Sequence, residues 1–219
     1  INSPDTPQPE IQLLSNGSYH VMLTNAGGGY SRWRDIALTR WREDTTCDNW
    51  GSFCYIRDLH AGEFWSTTHQ PTLKEASHYE AIFSQGRMEF RRTDNEIELH
   101  TEIVVSPEDN VEIKRVHIKN HSRSARKIEI TSYSEVVMAL QITDDAHPAF
   151  SNLFVQTELL QNQHAIICSR RPRSKDESPP WIFHLMKLAE GDASHISYET
   201  DRDKFIGRGN SVANPKVLH

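Results

Sequence analysis

A series of short β-like runs, separated by turn-forming pairs, most constrains the fold. Residues 79–84, 87–93 and 97–105 are each rich in β-formers, and the pairs at 85–86 and 94–95 contain glycine or asparagine. Within 97–105, apolar and polar side chains alternate, as a strand with one buried face requires. The three runs therefore predict an antiparallel meander.

Further strands are predicted on both sides of this meander. They cover residues 11–14, 19–23, 51–58, 63–66, 111–119, 126–140, 153–160, 164–169, 181–188 and 195–199. A slip in the alternation within 111–119 predicts a β-bulge near Lys114 and Arg115. Because no convincing amphipathic helix interrupts the strands, we predict an all-β fold, a single large antiparallel sandwich over residues 1–219, rather than two domains. The charged, proline-rich segment 170–180 is predicted to be an exposed loop, with a domain boundary as the alternative.

Composition excludes several classes of partner. Lys and Arg total 24 against 30 for Asp and Glu, a formal charge of -6, which disfavours nucleic acid and anionic membranes. No apolar run approaches the roughly 20 residues that span a bilayer, so no membrane insertion is expected. Cys47, Cys54 and Cys168 match no metal-binding pattern and predict free thiols in a reducing compartment. The termini suggest a fragment of a longer polypeptide.

The densest chemical signal is the segment 24–44, TNAGGGYSRWRDIALTRWRED. Sugars present apolar C–H faces and a rim of hydroxyls, so aromatic platforms, planar arginine donors and carboxylates suit them. The predicted substrate-binding residues are Tyr30, Arg32, Trp33, Asp35, Arg40 and Trp41. Gly27, Gly28 and Gly29 are predicted to let the backbone approach a ligand closely. If the segment is extended, the spacing of eight places its two Arg-Trp-Arg triplets on one face.

Other interpretations of these residues were weighed. Buried core aromatics, surface Arg–Trp pairs and a glycine turn explain each residue singly. The glycines lack the dinucleotide and phosphate-loop patterns. His117 and His121 have a metal-like spacing only on a helix, so no metal site is predicted. Asp144, Asp145 and His147 are expected to lie in a solvated loop.

Long runs of this sequence resemble a known family. They are LLSNGSYHVMLTNAGGGYSRWRDIALTRWRED, YIRD, VVSPEDNVEIKRVHIKNHS, HPAFSNLFVQTE, RRPRS and YETDRDKFIGRGN. The chain resembles the amino-terminal β domain of the phosphorylase-like region in bacterial cyclic β-1,2-glucan synthases, which is related to the cellobiose and chitobiose phosphorylases of glycoside hydrolase family 94, a former glycosyltransferase family. The resemblance spans nearly the whole chain.

The resemblance implies a super-sandwich similar to the galactose mutarotase-like fold, followed in the parent enzyme by an α/α barrel. In that family, inverting phosphorolysis uses a barrel acid and inorganic phosphate as co-substrate, so no catalytic residue and no cofactor is assigned to this chain. The implied partners are a β-glucan oligosaccharide, the barrel of the same polypeptide and, as a possibility, a second copy in a homodimer. The implied location is the cytoplasmic face, as a soluble part of an inner-membrane bacterial enzyme.

Three functional hypotheses follow. The leading one is a non-catalytic, carbohydrate-associated domain of a β-glucan-synthesising enzyme. The alternatives are a freestanding carbohydrate-binding module and a purely structural or dimerisation domain.

Overall fold

Antiparallel β-sheets make up most of the described part of the chain. The computed structural model describes residues 1–44, 47–172, 174–175, 177–190 and 195–219. Its strands are β1 Ile11–Ser15, β2 Tyr19–Thr24, β3 Gly29–Trp33, β4 Ile36–Thr39, β5 Ser52–Asp58, β6 Glu63–Ser66, β7 His78–Ser84, β8 Arg87–Asp94, β9 Ile97–Val105, β10 Glu112–Asn120, β11 Ile128–Ser134, β12 Val136–Leu140, β13 Val155–Leu160, β14 Ala165–Arg170 and β15 Ile182–Leu185. These strands confirm the predicted all-β antiparallel class.

The strands form four sheets. A five-stranded sheet has the order β1-β2-β3-β4-β12, and the meander forms a four-stranded sheet, β10-β9-β8-β7. Two three-stranded sheets have the orders β11-β5-β6 and β13-β14-β15. Short helices, α1 Gln141–Ala146, α2 Pro148–Asn152 and α3 Arg202–Ile206, and two 3-10 turns, Gln161–Gln163 and Lys216–Leu218, complete the described elements.

The inner face of the four-stranded sheet packs against two other sheets. One core cluster joins β1 and β2 to β7, β8 and β9 through residues such as Leu14, Val21 and Phe90. A second joins β5 and β6 to β9, where Trp65, only 1% exposed, meets Leu99. Since burial of apolar area is the main stabilising contribution to folding, these two interfaces make the sandwich.

The opposite face of β5 and β6 is covered by the carboxy-terminal segment. Phe205 and Ile206 of α3 and Leu218 pack against Tyr55, Phe53 and Phe64. Helix α3 begins at Asp201, whose carboxylate accepts hydrogen bonds from the backbone N–H groups of the next turn. A third layer therefore lies outside the three-stranded sheet.

Three strand predictions are wrong in detail. The register of β10 against β9 runs without interruption from Glu112 to Asn120, so the bulge near Lys114 and Arg115 is absent. The slip in hydrophobic pattern arises because polar side chains face inward there; Lys114 Nζ donates to the carbonyl oxygen of Ser52 at 2.7 Å.

The predicted strand at 126–140 is two strands, because the chain leaves β11 in one sheet and enters β12 in another. Residues 195–199 form no strand.

Of the segment 170–180, Arg170 ends β14 and is buried, whereas residues 171–172, 174–175 and 177–178 are exposed; Arg173 and Asp176 lie outside the described residues.

Candidate functional site

The glycines of the segment 24–44 are buried against the protein's own atoms. A Cβ on Gly27 would lie 2.3 Å from the side chain of Thr68, and one on Gly28 would lie 2.1 Å from Asp48 Oδ1. A Cβ on Gly29 would lie 1.8 Å from the carbonyl oxygen of Met22. The close approach that glycine permits is therefore made by neighbouring loops and β2, and the prediction that it is made by a ligand is wrong.

Arg40 lies inside the protein rather than at a sugar site. It is 5% exposed, and its Nε and Nη2 atoms donate to the two oxygens of Asp144 at 2.8 and 2.7 Å. Nη1 donates to Glu135, and Nη2 also donates to Asn152 Oδ1 at 2.7 Å. Burial alone would lower the pKa of Arg40, but these carboxylates outweigh it and raise the pKa. Arg40 is a structural ion-pairing residue.

Asp144 is correspondingly not part of a solvated loop. It lies in α1 and is 2% exposed. Its neighbour Asp145 is exposed and accepts from Gln141 Nε2 at 3.1 Å. The sequence pattern does not distinguish the buried aspartate from the exposed one, because a short helix with one inward-facing acid shows no hydrophobic periodicity.

The two Arg-Trp-Arg triplets do not lie on one extended strand. A turn at Arg34 and Asp35 joins β3 to β4, so the first triplet ends one strand and the second follows the next. Trp33 is half-buried, and the guanidinium of Arg34 lies over its ring at 4.6 Å. Asp35 is exposed at the turn. The extended geometry assumed for the segment is therefore wrong.

Tyr30, Arg32 and Trp41 come together and form what we call the aromatic cluster. The rings of Tyr30 and Trp41 meet edge to face with centroids 5.5 Å apart, and the Arg32 guanidinium carbon lies 6.0 Å from the Tyr30 ring. All three side chains are half-buried. The Nε of Arg32 is buried without a hydrogen-bond partner among the described residues. An unpaired donor beside two partly exposed rings suits a hydroxyl-bearing apolar ligand.

A polar cleft opens near the aromatic cluster. In the antiparallel five-stranded sheet, β2 ends, β3 begins and β4 ends on the same side, which places Asn25, Tyr30 and Trp41 at one end of the sheet. The cleft has a volume of about 960 Å³ and lies between the amino-terminal segment 2–9 and the loop 69–79. Asn25 and Asp48 also line it. Sequence analysis missed this cleft because its walls come from segments distant in the chain.

Two titratable groups of the polar cleft have shifted pKa values. Burial raises the pKa of Asp48 from its usual 3.8 to about 6, although a hydrogen bond from the Thr24 hydroxyl opposes the shift. Burial, and next the charge of Arg92, lower the pKa of His69, so its imidazole is neutral at pH 7. Since shifted pKa values concentrate at functional sites, the cleft is a second candidate surface.

Glu89, His100 and Glu102 form a cluster with the spacing of metal ligands on the outer face of the four-stranded sheet. His100 Nε2 lies 2.7 Å from Glu89 Oε2. Arg87 contacts both carboxylates, at 2.8 and 3.4 Å, and Arg115 Nε donates to Glu102 at 2.7 Å. Two guanidinium charges thus already balance the two carboxylates, and the cluster is an ion-pair network. The pKa of Glu102 is lowered, chiefly by the hydrogen bond from Arg115.

The described residues define an antiparallel β-sandwich domain. The family model for the supersandwich domain of glycosyl hydrolase 94 matches residues 1–219. The chain therefore belongs to the glycosyl hydrolase 94 family, as its supersandwich domain.

Individual relatives agree with this assignment. The chain is 36% identical over 213 residues to the cyclic beta-(1,2)-glucan synthase NdvB of Rhizobium meliloti (strain 1021), covering 97% of this chain and 8% of the relative. It is 26% identical over 220 residues to the N,N'-diacetylchitobiose phosphorylase of Vibrio furnissii, covering 98% of this chain and 26% of that enzyme. It is 23% identical over 215 residues to the solabiose phosphorylase of Paenibacillus borealis, covering 96% and 27%.

The chain thus spans 8% and 26% of the lengths of the first two relatives. None of the helices in the described ranges is long and apolar enough to cross a membrane.

Proposed function

We propose that this chain is a non-catalytic, carbohydrate-associated domain of a larger enzyme that acts on β-glucans. The observation that carries the proposal is the match along the whole chain to the supersandwich domain, together with the 36% identity to a cyclic beta-(1,2)-glucan synthase. The parent is a glycosyltransferase or inverting glycoside phosphorylase, with inorganic phosphate as its co-substrate. The catalytic acid and the phosphate pocket belong to an α/α barrel outside these residues, and the parent places this domain at the cytoplasmic face of the inner membrane.

Packing against that barrel is supported by exposed apolar side chains on one small sheet. Trp181, Phe183 and Leu185, on or next to β15, are 70%, 59% and 51% exposed. On the opposite face of β15, His184 Nε2 lies 2.7 Å from Ser132 Oγ, so the large apolar side chains point away from the rest of the domain. Neighbouring apolar side chains that are this exposed mark interaction surfaces. The occupant is the barrel of the same polypeptide, with a homodimer contact as the alternative.

Contact with a β-glucan oligosaccharide is supported by the aromatic cluster. Its rings offer flat apolar surface, and the half-buried guanidinium of Arg32 lies beside the Tyr30 ring. Trp33 and Asp35 lie at the other end of β3, at the β3–β4 turn, and are not part of this surface. In this arrangement the domain forms one wall of the glucan site.

A titration of the 219-residue chain with β-1,2-gluco-oligosaccharides, followed by tryptophan fluorescence, tests this assignment. We expect saturable quenching that Trp41→Phe removes. Trp181→Phe, at the exposed residue next to β15, is the matched control and leaves the binding curve unchanged. Retained binding in Trp41→Phe excludes the aromatic cluster as the sugar wall. If neither the unsubstituted chain nor the Trp181→Phe control shows binding, the domain is structural.

The barrel contact has its own test. Phe183→Ser in the full-length enzyme is expected to expose the junction to limited proteolysis, while the isolated chain keeps its melting temperature because the ring is already 59% exposed. Unchanged proteolysis of the full-length variant contradicts this docking surface.

A further inference from the structure

We propose that the polar cleft is a second binding site and that it takes a neutral oligosaccharide. The inference rests on the proposed function and extends it, because sugar binding at the aromatic cluster does not require the cleft. Its walls come from the amino-terminal segment 2–9, from Asn25, from Asp48 and from the loop 69–79. Its volume of about 960 Å³ is at the upper end of the roughly 300–1,000 Å³ of small-molecule sites.

Gln70 supplies an unpaired acceptor at this site. It is 7% exposed, and its Oε1 has no hydrogen-bond partner among the described residues. Its backbone is fixed, because Gln70 N donates to the carbonyl oxygen of Ala26 at 2.8 Å and Thr68 Oγ1 donates to the carbonyl oxygen of Gln70 at 2.7 Å. A buried acceptor without a partner is costly, and a ligand hydroxyl removes that cost.

Asp48 supplies a second acceptor. Its side chain is held by the hydroxyl of Thr24, which in turn accepts from the backbone N–H of Gly28 at 3.0 Å. The carboxylate of Asp48 thus occupies the space that a side chain at Gly28 would need, and the hydrogen bond from Thr24 fixes its position. Two positioned acceptors that line one cleft suit a ligand that carries several hydroxyl donors.

The charge of the lining selects against anions. Among the described residues that line the cleft, the carboxylates of Asp5, Asp48 and Glu75 outnumber the one lysine, Lys74. His69 adds no positive charge at pH 7 because its pKa is lowered. Phosphate and sugar phosphates are repelled by this lining, whereas a neutral polyhydroxyl compound is not. The ligand class is thus an uncharged oligosaccharide.

The cleft adjoins the aromatic cluster. Asp48 lies in the cleft wall, and two residues later the carbonyl oxygen of Trp50 accepts a hydrogen bond from the backbone N–H of Gly29 at 2.8 Å. Tyr30 follows directly in β3. An oligosaccharide held in the cleft therefore lies at the same end of the sheet as the cluster.

Amide chemical-shift mapping of the isotopically labelled 219-residue chain tests the inference. The probe is a β-1,2-linked glucotriose, with glucose 6-phosphate as the charged comparison. We expect shifts at 2–9, 25–26 and 69–79, and an affinity about tenfold weaker in Gln70→Leu. Because a buried substitution can disturb folding, the exposed cleft residue Glu75 provides a second variant, Glu75→Trp, which narrows the cleft. Glu158→Trp, on the exposed face of β13, is its matched control and binds normally.

The outcomes separate this inference from the proposed function. Shifts confined to residues 30–42 overturn the cleft and leave the aromatic cluster in place. Cleft shifts that survive both Gln70→Leu and Glu75→Trp also overturn it. Equal shifts with glucose 6-phosphate contradict the neutral ligand class. Absence of shifts anywhere at millimolar trisaccharide overturns both proposals.

Discussion

Replacing Asp144 by alanine should destabilise the domain strongly, although Asp144 lies in a helix of only six residues. Asp144 is 2% exposed and binds Arg40 through both carboxylate oxygens, at 2.8 and 2.7 Å. Through this pair, α1 is held against the end of β4, and Glu135 completes the network from the crossing between β11 and β12. Removing the carboxylate leaves a buried guanidinium with only part of its compensation.

The expected magnitude follows from the geometry. Breaking a buried ion pair by deleting one partner costs about 3–5 kcal/mol. Arg40 keeps Glu135 and Asn152 in the variant, so we expect the lower end, about 3 kcal/mol. For a domain of this size each kcal/mol shifts Tm by about 2–4 °C, which predicts a fall of about 6–12 °C.

Urea denaturation and calorimetry of the 219-residue chain measure the effect. Asp145→Ala is the control on the same helix, because that carboxylate is exposed, and its free energy of unfolding should change by less than about 0.5 kcal/mol. If Asp144→Ala costs no more than Asp145→Ala, the assignment of Arg40 to a buried structural network is refuted.

Three further predictions concern single side chains. Gly27→Ala should destabilise by about 1–3 kcal/mol more than Gly17→Ala, because the backbone φ angles are +93° and +95° but only the Cβ at Gly27 meets other atoms; equal melting temperatures would contradict this. Trp65→Ala should cost about 3–5 kcal/mol, whereas Trp33→Ala, half-buried and stacked on an arginine, should cost about 1 kcal/mol; urea titrations that give equal costs would place both rings in the core.

For Asp48, the folded-state pKa of about 6 exceeds the usual 3.8, so its contribution to stability is full below pH 3.8 and is lost as pH rises to 6. The loss is about 3 kcal/mol, and Asp48→Asn should flatten this part of the stability profile; an unchanged slope would mean that the carboxyl is not buried.

The strands could be predicted from sequence where one face of a sheet is buried. In β9, Ile97, Leu99, Thr101 and Ile103 are fully or almost fully buried, and their spacing of two residues reports that face directly. The same logic failed for β10, where Lys114 occupies an inward position and bonds to the backbone of β5. A pattern of hydrophobicity does not reveal an inward-facing, half-buried lysine whose charge is satisfied by a carbonyl oxygen and by Glu112.

The candidate site was predictable in composition but not in arrangement. Tyr30, Arg32 and Trp41 do meet, since residues near one end of a hairpin are close in space. Arg40 has the same residue type and sequence context as Arg32, yet it faces Asp144, more than 100 residues away in the chain. The polar cleft is lined by segments that are well separated in the chain, among them 2–9, 25–26 and 69–79, so local sequence carries no signal for it.

The carboxy-terminal layer sets an order of events during synthesis. Phe53, Tyr55 and Phe64 are shielded by Phe205 and Leu218, which emerge from the ribosome roughly 150 residues later. At about 5–20 residues per second, that face stays uncovered for on the order of ten seconds. The nascent domain therefore presents an exposed aromatic surface to chaperones until residues 205–218 have been translated and cover it.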